Sequence, residues 1–478
     1  MPDPHHLQLT LSAGEGVYDV VGLRGVESVS ELYRFELDVT CDWAETLPSE
    51  VGAGADVTLR FRRGETELRR IHGVIESRTA RLDSQLDNPV YRLVLVPHLT
   101  RARLVRAQQI FLGMSVVEII QQKLALIGLD ETVVSVSQLG DYPRRDFVVQ
   151  YDETDLDFIS RLAEHLGISF YFEQLDSTEQ LVFADSLDGF HVNAQHDAIQ
   201  LSRVDNQFDC VHGLEVVEAM LPGQCIVYDH NYRRPDLRLV GQRAVPEGHG
   251  GGTLEYGCHV KDEAEAAALA AVRAETFQCR ARQYRGWSSI CNMVAGGITT
   301  VEATTGVDET QLLVTRVDHE VTMREDRTLA YRNTFHALPT TVTFRPERRT
   351  PRPRIAGFVT GTVQGPPGSS DAVSPFLDDE GRYTVQFHFD AVLGDPTQRG
   401  SHLVRMSQPF GGTGHGMHFP LRPGTEVMIA FANGDPDRPV IVGAIPNAHT
   451  RTPVTARNAT QNRITAASGA IFEISERR

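Results

Sequence analysis

The chain has few cysteines, the residues that form disulfides or bind zinc in small extracellular proteins. Its 478 residues include only six cysteines, and no two of them form a Cys-x-x-Cys pair. Scattered thiols are typical of a reducing compartment, because disulfide frameworks and zinc sites need cysteines at set spacings. We therefore expect free thiols in a protein that folds in the cytosol. The six are Cys41, Cys210, Cys225, Cys258, Cys279 and Cys291.

Basic residues are also in short supply. The 46 lysines and arginines are outnumbered by 63 acids, and the formal net charge is -17 at pH 7. Binding to nucleic acid relies on a basic face that releases counterions from the phosphates. The charge therefore argues against a nucleic-acid partner. With only two tryptophans, the chain also lacks the aromatic cluster that would indicate a carbohydrate-binding module.

Long apolar runs are missing. Residues 1–10 have neither a basic start nor an apolar stretch, so a signal peptide is not expected. No segment reaches the roughly 18 consecutive apolar residues of a membrane-spanning helix. We expect a protein that is made in the cytoplasm, has no membrane span and, if it leaves the cell, uses a signal-peptide-independent route.

The signatures of common enzymes are incomplete. Residues 411–416 are rich in glycine but lack the Lys-Ser/Thr of a phosphate loop and do not open a predicted helix. Residues 249–252 resemble an esterase oxyanion-hole run, yet no Gly-x-Ser-x-Gly motif occurs. There is no His-Glu-x-x-His, and the pairs His5–His6, Cys258–His259 and His415–His418 each lack a second pair at zinc-site spacing. We expect no catalytic residue, no cofactor and no metal.

Most of the chain alternates apolar and polar residues, which is the pattern of strands with one buried face. Short strands separated by Gly and Pro turns are typical of barrels and sandwiches. Two further strands, 71–76 and 312–319, each follow a hydrophilic turn, but their likeness is too weak to establish a repeat. The clearest alternating segments are 7–11, 33–39, 57–61 and 91–96.

Three helices are predicted among the strands. The first begins after Ser115 and ends at Gly128. The second begins near Thr154 or Asp155 and ends at Gly167. The third spans about residues 261–279 and opens with acids that suit the helix dipole. The residues expected to be buried are Val116, Ile119, Ile120, Leu124 and Ile127 in the first helix, and Ile159, Leu162, Ala163 and Leu166 in the second.

Residues 358–447 carry the most specific pattern. A loop at 361–370 precedes a strand over 381–390, and strands at 426–431 and 440–444 flank a turn. In the first strand we expect Tyr383, Val385, Phe387 and Phe389 to form a barrel core. The turn residues supply turn dihedrals and an arginine that can bridge to a carboxylate; they are Gly434, Asp435, Pro436, Asp437, Arg438 and Pro439. A calcium site through Asp435 and Asp437 is the alternative, but no Glu completes an EF-hand pattern.

This order of strands and turns resembles the oligosaccharide/oligonucleotide-binding (OB) barrel of VgrG proteins, the spikes of type VI secretion systems. Upstream, residues 147–173, 331–339, 345–346 and 350–353 resemble segments of the VgrG hub in the same order. The resemblance covers nearly the whole chain. It implies a mainly β fold with a few helices, in which a hub of two related β-barrels with helical insertions precedes the OB barrel.

The resemblance also implies a division of the chain. The hub would span residues 1–350, the OB barrel 351–450, and the start of a β-helix needle or tail 451–478. A linker is expected at 346–353, where charge and proline favour extended geometry. Relatives usually continue into a long needle, which would begin just after residues 468–473, so we expect the needle to be absent or truncated.

In function, the resemblance implies a non-enzymatic homotrimer, phage tail-like, at the tip of an inner tube, for membrane puncture and effector delivery. Its partners would be an Hcp-like tube hexamer, baseplate proteins, a PAAR-like tip protein and effectors, and it would be secreted or delivered into a target cell. One alternative is the hub of a phage-derived or extracellular contractile particle. An alternative from another class is a hydrolase that uses the OB barrel as a platform.

Overall fold

The computed structural model describes residues 6–40, 47–81, 90–192, 198–199, 209–302, 310–366, 374–390 and 401–476. His5, Cys41 and the last part of the loop predicted at 361–370 lie outside these ranges. The chain divides into two compact units. Unit 1 contains Met1–Val105, Val116–Tyr142 and Asp155–Pro351, and unit 2 contains Arg106–Ser115, Pro143–Thr154 and Arg352–Arg478. Strands and helices are numbered along the chain.

A closed barrel of six described strands lies in unit 1. The strands are β1 (Leu7–Ala13), β2 (Gly16–Ser28), β3 (Arg34–Thr40), β4 (Asp56–Arg63), β5 (Thr66–Arg81) and β6 (Val90–Val96). They pair antiparallel in the order β1-β2-β3-β6-β5-β4, and β4 returns to β1 with Phe61 opposite Leu9. Alternate residues such as Leu11 and Leu37 point into a buried core. The four clearest alternating segments are thus confirmed as strands of one barrel.

Six further described strands surround a second core in unit 1. They are β13 (Ala198–Ile199), β14 (Val211–Glu218), β18 (Arg282–Ser288), β19 (Gly297–Val301), β20 (Thr310–Met323) and β21 (Leu329–Pro339). Their order is β13-β19-β20-β21-β18-β14, and they enclose buried residues that include Val211 and Phe335. The long β20–β21 hairpin serves both barrels, because Val321 of β20 pairs with Leu23 of β2 while Leu313 pairs with Ile298 of β19.

Smaller elements complete the described part of unit 1. Two three-stranded sheets have the orders β10-β11-β8 and β16-β15-β17, and β12 pairs with β19. Their bounds are β8 (Val134–Gln138), β10 (Ser169–Gln174), β11 (Glu179–Ala184), β12 (His191–Val192), β15 (Gln224–Asp229), β16 (Leu239–Ala244) and β17 (Thr253–Tyr256). The helices are α1 (Val116–Leu126), α2 (Asp155–Leu166) and α3 (Glu263–Gln278), with short 3-10 turns at Ser49–Val51, His98–Arg103 and Leu187–Gly189.

The three predicted helices are confirmed, with small differences at their ends. Gly128 and Gly167 follow α1 and α2 with φ of +83° and +74°, as glycine at a helix C-terminus permits. The Asp262 side chain caps α3 by accepting a hydrogen bond from the Glu265 N–H group. Ile127 lies beyond the end of α1, and both it and Leu166 are only half-buried. The other residues of the predicted stripes are buried.

Unit 2 contains a smaller closed barrel of five described strands. They are β22 (Phe358–Val363), β23 (Tyr383–Phe387), β24 (Ser401–Val404), β27 (Glu426–Phe431) and β28 (Pro439–Ala444), in the order β24-β23-β22-β27-β28. A bridge between Met406 and Ile441 closes the ring. The strand predicted over 381–390 is shorter, because the chain turns after Phe387 and the Asp390 N–H group bonds back to the Phe387 carbonyl.

Three strand pairs accompany this barrel in unit 2. They are β7 (Arg106–Phe111) with β9 (Val148–Thr154), β25 (Gly411–Gly412) with β26 (His415–Gly416), and β29 (Gln461–Thr465) with β30 (Ile471–Ser475). Short 3-10 turns lie at Ala432–Gly434 and Ala456–Asn458. The fold is mainly β, as expected. None of the described helices combines the length and apolar character needed to cross a membrane.

Candidate functional site

The predicted aromatic strand lies in the core of the unit 2 barrel. Tyr383, Val385 and Phe387 are at most 1% exposed. Phe389 follows the end of β23 and is half-buried, with its ring centroid 5.4 Å from that of Phe387. Because alternate residues of a strand point to one face, the three residues of β23 fill the barrel, and Phe389 extends their row beyond the turn.

The turn at residues 434–439 is built by backbone bonds and one carboxylate. Gly434 has φ of +73°, which suits glycine. The Arg438 N–H group donates to the Asp435 carbonyl at 2.9 Å. The Asp435 carboxylate accepts from the Asp437 N–H group at 3.1 Å and lies 3.2 Å from the Arg352 guanidinium. Arg438 also faces it at 3.8 Å. These backbone hydrogen bonds are those of a turn, and two guanidinium groups lie near the Asp435 carboxylate.

The same turn anchors a segment from much earlier in the chain. Oδ1 of Asp437 accepts a hydrogen bond at 2.7 Å from the N–H group of Val149, a residue of β9 that is fully buried. On the partner strand β7, the Ile110 N–H group donates to Oδ1 of Asp390 at 3.2 Å. Ile110, Phe147 and Val149 belong to the same hydrophobic core as β23. These residues were expected in the hub, so their packing with β23 was not predicted.

A buried ionic cluster lies in unit 1 where β2, β5, β20 and β21 meet. Arg69 donates two hydrogen bonds of 2.8 Å to the Glu27 carboxylate. Nε2 of His319 lies 2.9 Å from Glu27, and Nδ1 of His319 lies 2.7 Å from the Tyr331 hydroxyl. Asn333 donates to the same hydroxyl at 2.9 Å. These contacts are consistent with a neutral His319 that donates a hydrogen bond from Nε2 to the Glu27 carboxylate.

The pKa shifts agree with that assignment. Burial alone would raise the pKa of Glu27, but the Arg69 charge and the His319 hydrogen bond hold it below its ordinary value. Burial lowers the pKa of His319, even though Glu27 acts in the opposite direction. His319 and Arg69 are 3% and 6% exposed, and 13% of the Glu27 side chain is exposed, so little of the cluster reaches the solvent. Its position between strands indicates a structural role.

The predicted linker is held in place at its start. The Glu164 carboxylate, on α2, accepts from the N–H groups of Arg349 and Thr350 at 3.0 and 2.9 Å and from the Thr350 hydroxyl at 2.8 Å. Arg345 donates to the carbonyls of Gly167 and Asp185 at 3.0 and 2.7 Å. We call Glu164 with residues 345–350 the linker clasp. Glu164 and Arg345 both lie in segments that resemble the VgrG hub, but the sequence did not predict these contacts, since the partners lie in distant parts of the chain.

The glycine-rich residues 411–416 form no phosphate-binding loop. They make the β25–β26 hairpin, whose turn contains Gly414 with φ of +73°. The hairpin precedes no helix, so its N–H groups have no helix dipole behind them. His249, in the run that resembled an oxyanion hole, instead accepts a hydrogen bond from the Leu221 N–H group through Nδ1 at 3.2 Å.

The described fold thus contains a closed six-stranded barrel and a second group of six strands on the same sheet, followed along the chain by a closed five-stranded barrel. The chain matches the phage tail baseplate hub (GPD) family over residues 26–325, and the type VI secretion system/phage-baseplate injector OB domain over residues 372–445. It belongs to the phage tail baseplate hub family.

Several curated relatives cover almost all of the chain. The type VI secretion system spike protein VgrG4b of Pseudomonas aeruginosa is 29% identical over 93% of this chain and 56% of its own length. VgrG5 of the same organism is 28% identical over 94% of this chain and 58% of its own length. The actin cross-linking toxin VgrG1 of Vibrio cholerae is 26% identical, and only 42% of its length is matched. The chain spans somewhat more than half the length of the two spike proteins.

Solved structures share the fold. An E. coli component of the type VI secretion system, described as structurally similar to the T4 bacteriophage tail proteins gp27 and gp5, has a TM-score of 0.67 and 23% identity, covering 91% of this chain and 99% of that chain. A Francisella PdpA-VgrG complex has a TM-score of 0.65 and 8% identity, covering 98% of this chain and 75% of that chain. At these identities the likeness concerns the fold.

Proposed function

We propose that the chain is the hub and OB base of a homotrimeric type VI secretion spike. It would sit at the tip of the inner tube and act in membrane puncture and effector delivery. The observation that carries this proposal is the order of the two family matches along the chain, hub and then OB domain. A spike protein also aligns with more than nine-tenths of the chain. We propose residues 1–350 as the hub, 351–450 as the OB domain and 451–478 as the start of a needle or tail.

The barrel count supports a particular geometry of assembly. Each chain contributes a closed six-stranded barrel and a second group of six strands around its own core, so a trimer would contain six such units. The resemblance to VgrG proteins implies that the two barrels of each hub are related, so that six of them would match the symmetry of a hexameric, Hcp-like tube ring, which we propose as a partner. Baseplate proteins, a PAAR-like tip protein and effectors are the other proposed partners. The protein would be made in the cytoplasm and leave through the apparatus, without a signal peptide.

The role proposed for the chain is mechanical and not enzymatic. In unit 1, the side chains of Glu27, Arg69 and His319 contact one another. In the turn at 434–439, the carboxylates of Asp435 and Asp437 accept hydrogen bonds from backbone N–H groups. The hydrolase alternative would need a nucleophile, a base and an orienting group around an open cleft. A hub from a phage-derived or extracellular contractile particle would have the same fold. The similarity of the chain to spike proteins of type VI secretion systems favours the secretion system.

The first test is the mass of the purified chain by light scattering behind a sizing column. A homotrimer would have three times the mass of the 53.0 kDa chain. A stable trimer that also binds preformed tube hexamers would support the proposal. A trimer without affinity for any tube ring would point to a different particle, and hydrolysis of cell-wall or ester substrates that depends on one serine or carboxylate would replace the proposal with the enzyme.

A further inference from the structure

The surface of unit 2 carries an apolar hairpin outside the barrel core. β25 and β26 pair through Gly411 with Gly416 and Gly412 with His415. Around them, Phe410, Met417 and Phe419 are 60%, 45% and 53% exposed. We call residues 410–419 the Phe410 hairpin. Large apolar side chains grouped on one exposed segment are typical of a surface that another molecule covers.

The shape of the Phe410 hairpin is defined, although its strands are very short. Gly414 has φ of +73°, a backbone conformation that favours glycine, and a Cβ atom at Gly412 would lie 2.5 Å from the His415 ring. The Met417 N–H group donates to the Phe410 carbonyl at 2.8 Å. The hairpin's base is tied to the barrel core, since Nε2 of His418 lies 3.1 Å from the Tyr383 hydroxyl.

The hairpin also lacks charged side chains. The segment between Arg405 and Arg422 includes no Asp, Glu, Lys or Arg, whereas 23% of the whole chain is charged. A segment of this length with the average composition would contain several charged residues. A partner recognised by electrostatic complementarity would need charges on this surface. An uncharged surface instead suits the meeting of two molecules that carry the same charge.

We propose that the Phe410 hairpin is a contact between copies of this chain, and that a second copy covers Phe410, Met417 and Phe419. The inference rests on the homotrimer proposed above and assigns one of its contact surfaces. Two copies with a net charge of -17 repel each other. Contact is therefore favoured where charge is absent and apolar area can be removed from water.

A second feature of unit 2 supports a second copy as the occupant. In the β29–β30 hairpin, every residue of β30 is exposed. An isolated two-stranded hairpin is marginally stable in water. Its apolar side chains therefore also need a cover, and the same partner chain would supply it. These side chains, between 48% and 62% exposed, are Ile464, Ile471, Phe472 and Ile474.

The test is a double variant, Phe410→Ser with Phe419→Ser, compared with Phe358→Ser. Phe358 is a matched control, because it is 59% exposed on β22 of the same unit but lies outside the hairpin. Light scattering over a dilution series gives the concentration at which each trimer dissociates. We expect the double variant to dissociate at a concentration at least tenfold higher than the wild type, and the control to match the wild type.

Hydrogen exchange of the wild-type trimer provides the second measurement, which does not depend on how a variant folds. Slow exchange in residues 408–421 of the trimer supports the contact. Fast exchange there, or a double variant that dissociates at the wild-type concentration, overturns the inference and leaves a different protein as the cover. A wild-type chain that is monomeric at all concentrations is a distinct result, because it overturns the proposed homotrimer and the inference with it.

Discussion

Single carboxylates hold distant parts of unit 1 together, and Glu164 is the clearest case. It is 9% exposed and accepts three hydrogen bonds from Arg349 and Thr350. In Glu164→Gln an amide NH₂ group would face donors that need an acceptor. Hydrogen bonds to a charged group contribute about 1.5–3 kcal/mol each, so we expect a loss of about 2 kcal/mol in the free energy of unfolding. Urea titration of unfolding measures this loss.

A proteolysis experiment locates the effect of that substitution. Trypsin cleaves after Arg348 and Arg349, and local opening governs its access to them. Cleavage there should be faster in Glu164→Gln than in the wild type. The control is Glu131→Gln, an exposed glutamate in a turn, which should leave stability and cleavage unchanged. Equal cleavage rates in all three proteins would mean that the linker clasp does not hold this segment.

Two histidines of unit 1 should respond to pH with opposite signs. Burial lowers the pKa of His319 below 6.5, so the unfolded chain binds the proton first and stability falls as pH drops through 6.5. The hydrogen bond to Glu179 raises the pKa of His98 above 6.5. Its contribution is therefore fully present below pH 6.5 and is lost as pH rises through the folded pKa.

The comparison of His319→Gln with His98→Gln tests this difference in sign. Between pH 8 and pH 5.5, we expect the Tm gap between wild type and His319→Gln to narrow on acidification. The gap for His98→Gln should widen over the same range. Glutamates with ordinary pKa values remain ionised at pH 5.5, which limits other contributions. Gaps that change in the same direction for both variants would show that one of the two protonation states is assigned wrongly.

At the scale of elements, β9 depends on a turn from a distant part of the sequence. Asp437 accepts the hydrogen bond of the buried Val149 N–H group at 2.7 Å. In Asp437→Ala this acceptor is lost, which costs about 1–3 kcal/mol for a buried donor. We expect faster hydrogen exchange in residues 143–154, measured by mass spectrometry. Asp437→Asn keeps a side-chain oxygen and should exchange more slowly than Asp437→Ala.

The control for this measurement is Asp379→Ala, since Asp379 is exposed in the same unit. Its exchange in residues 143–154 should equal that of the wild type. If Asp437→Ala also behaves like the wild type, the hydrogen bond from Val149 to Asp437 does not stabilise β9, and pairing with β7 and the packing of Val149 are sufficient to hold the strand.

Elements with a regular period were predictable, and elements defined by distant partners were not. The stripe of α1 and the alternation of β1, β3, β4 and β6 follow from burial of one face, which leaves a local pattern. The buried Lys123 of α1 does not follow, because its pair with Asp155 at 2.8 Å links two helices. Likewise, nothing near Ile110 or Val149 in the sequence indicates that their strands join the core of unit 2.

In the whole molecule, too, features that depend on local sequence were predictable and features that depend on distant partners were not. The resemblance of residues 358–447 to an OB barrel was carried by turns and alternation, which are local. The continuous sheet that joins two barrels is not local, because β20 and β21 pair with β2 and β1 near the start of the chain. The buried cluster of Glu27, Arg69 and His319 depends on that pairing. Its members were therefore absent from the predicted residues, although they lie at the junction of the two barrels.

Assembly of the proposed homotrimer should reflect the charge of the whole chain. Three copies with a net charge of -17 each repel one another, and salt screens this repulsion over a Debye length of about 30 Å at 0.01 M and about 10 Å at 0.1 M. We expect sodium chloride between 0.02 and 0.2 M, about a tenfold range set by these lengths, to lower the concentration at which the trimer dissociates. Light scattering across a dilution series at each salt concentration measures this shift. A trimer that instead loosens with added salt would be held mainly by ion pairs between copies, which the uncharged Phe410 hairpin cannot supply.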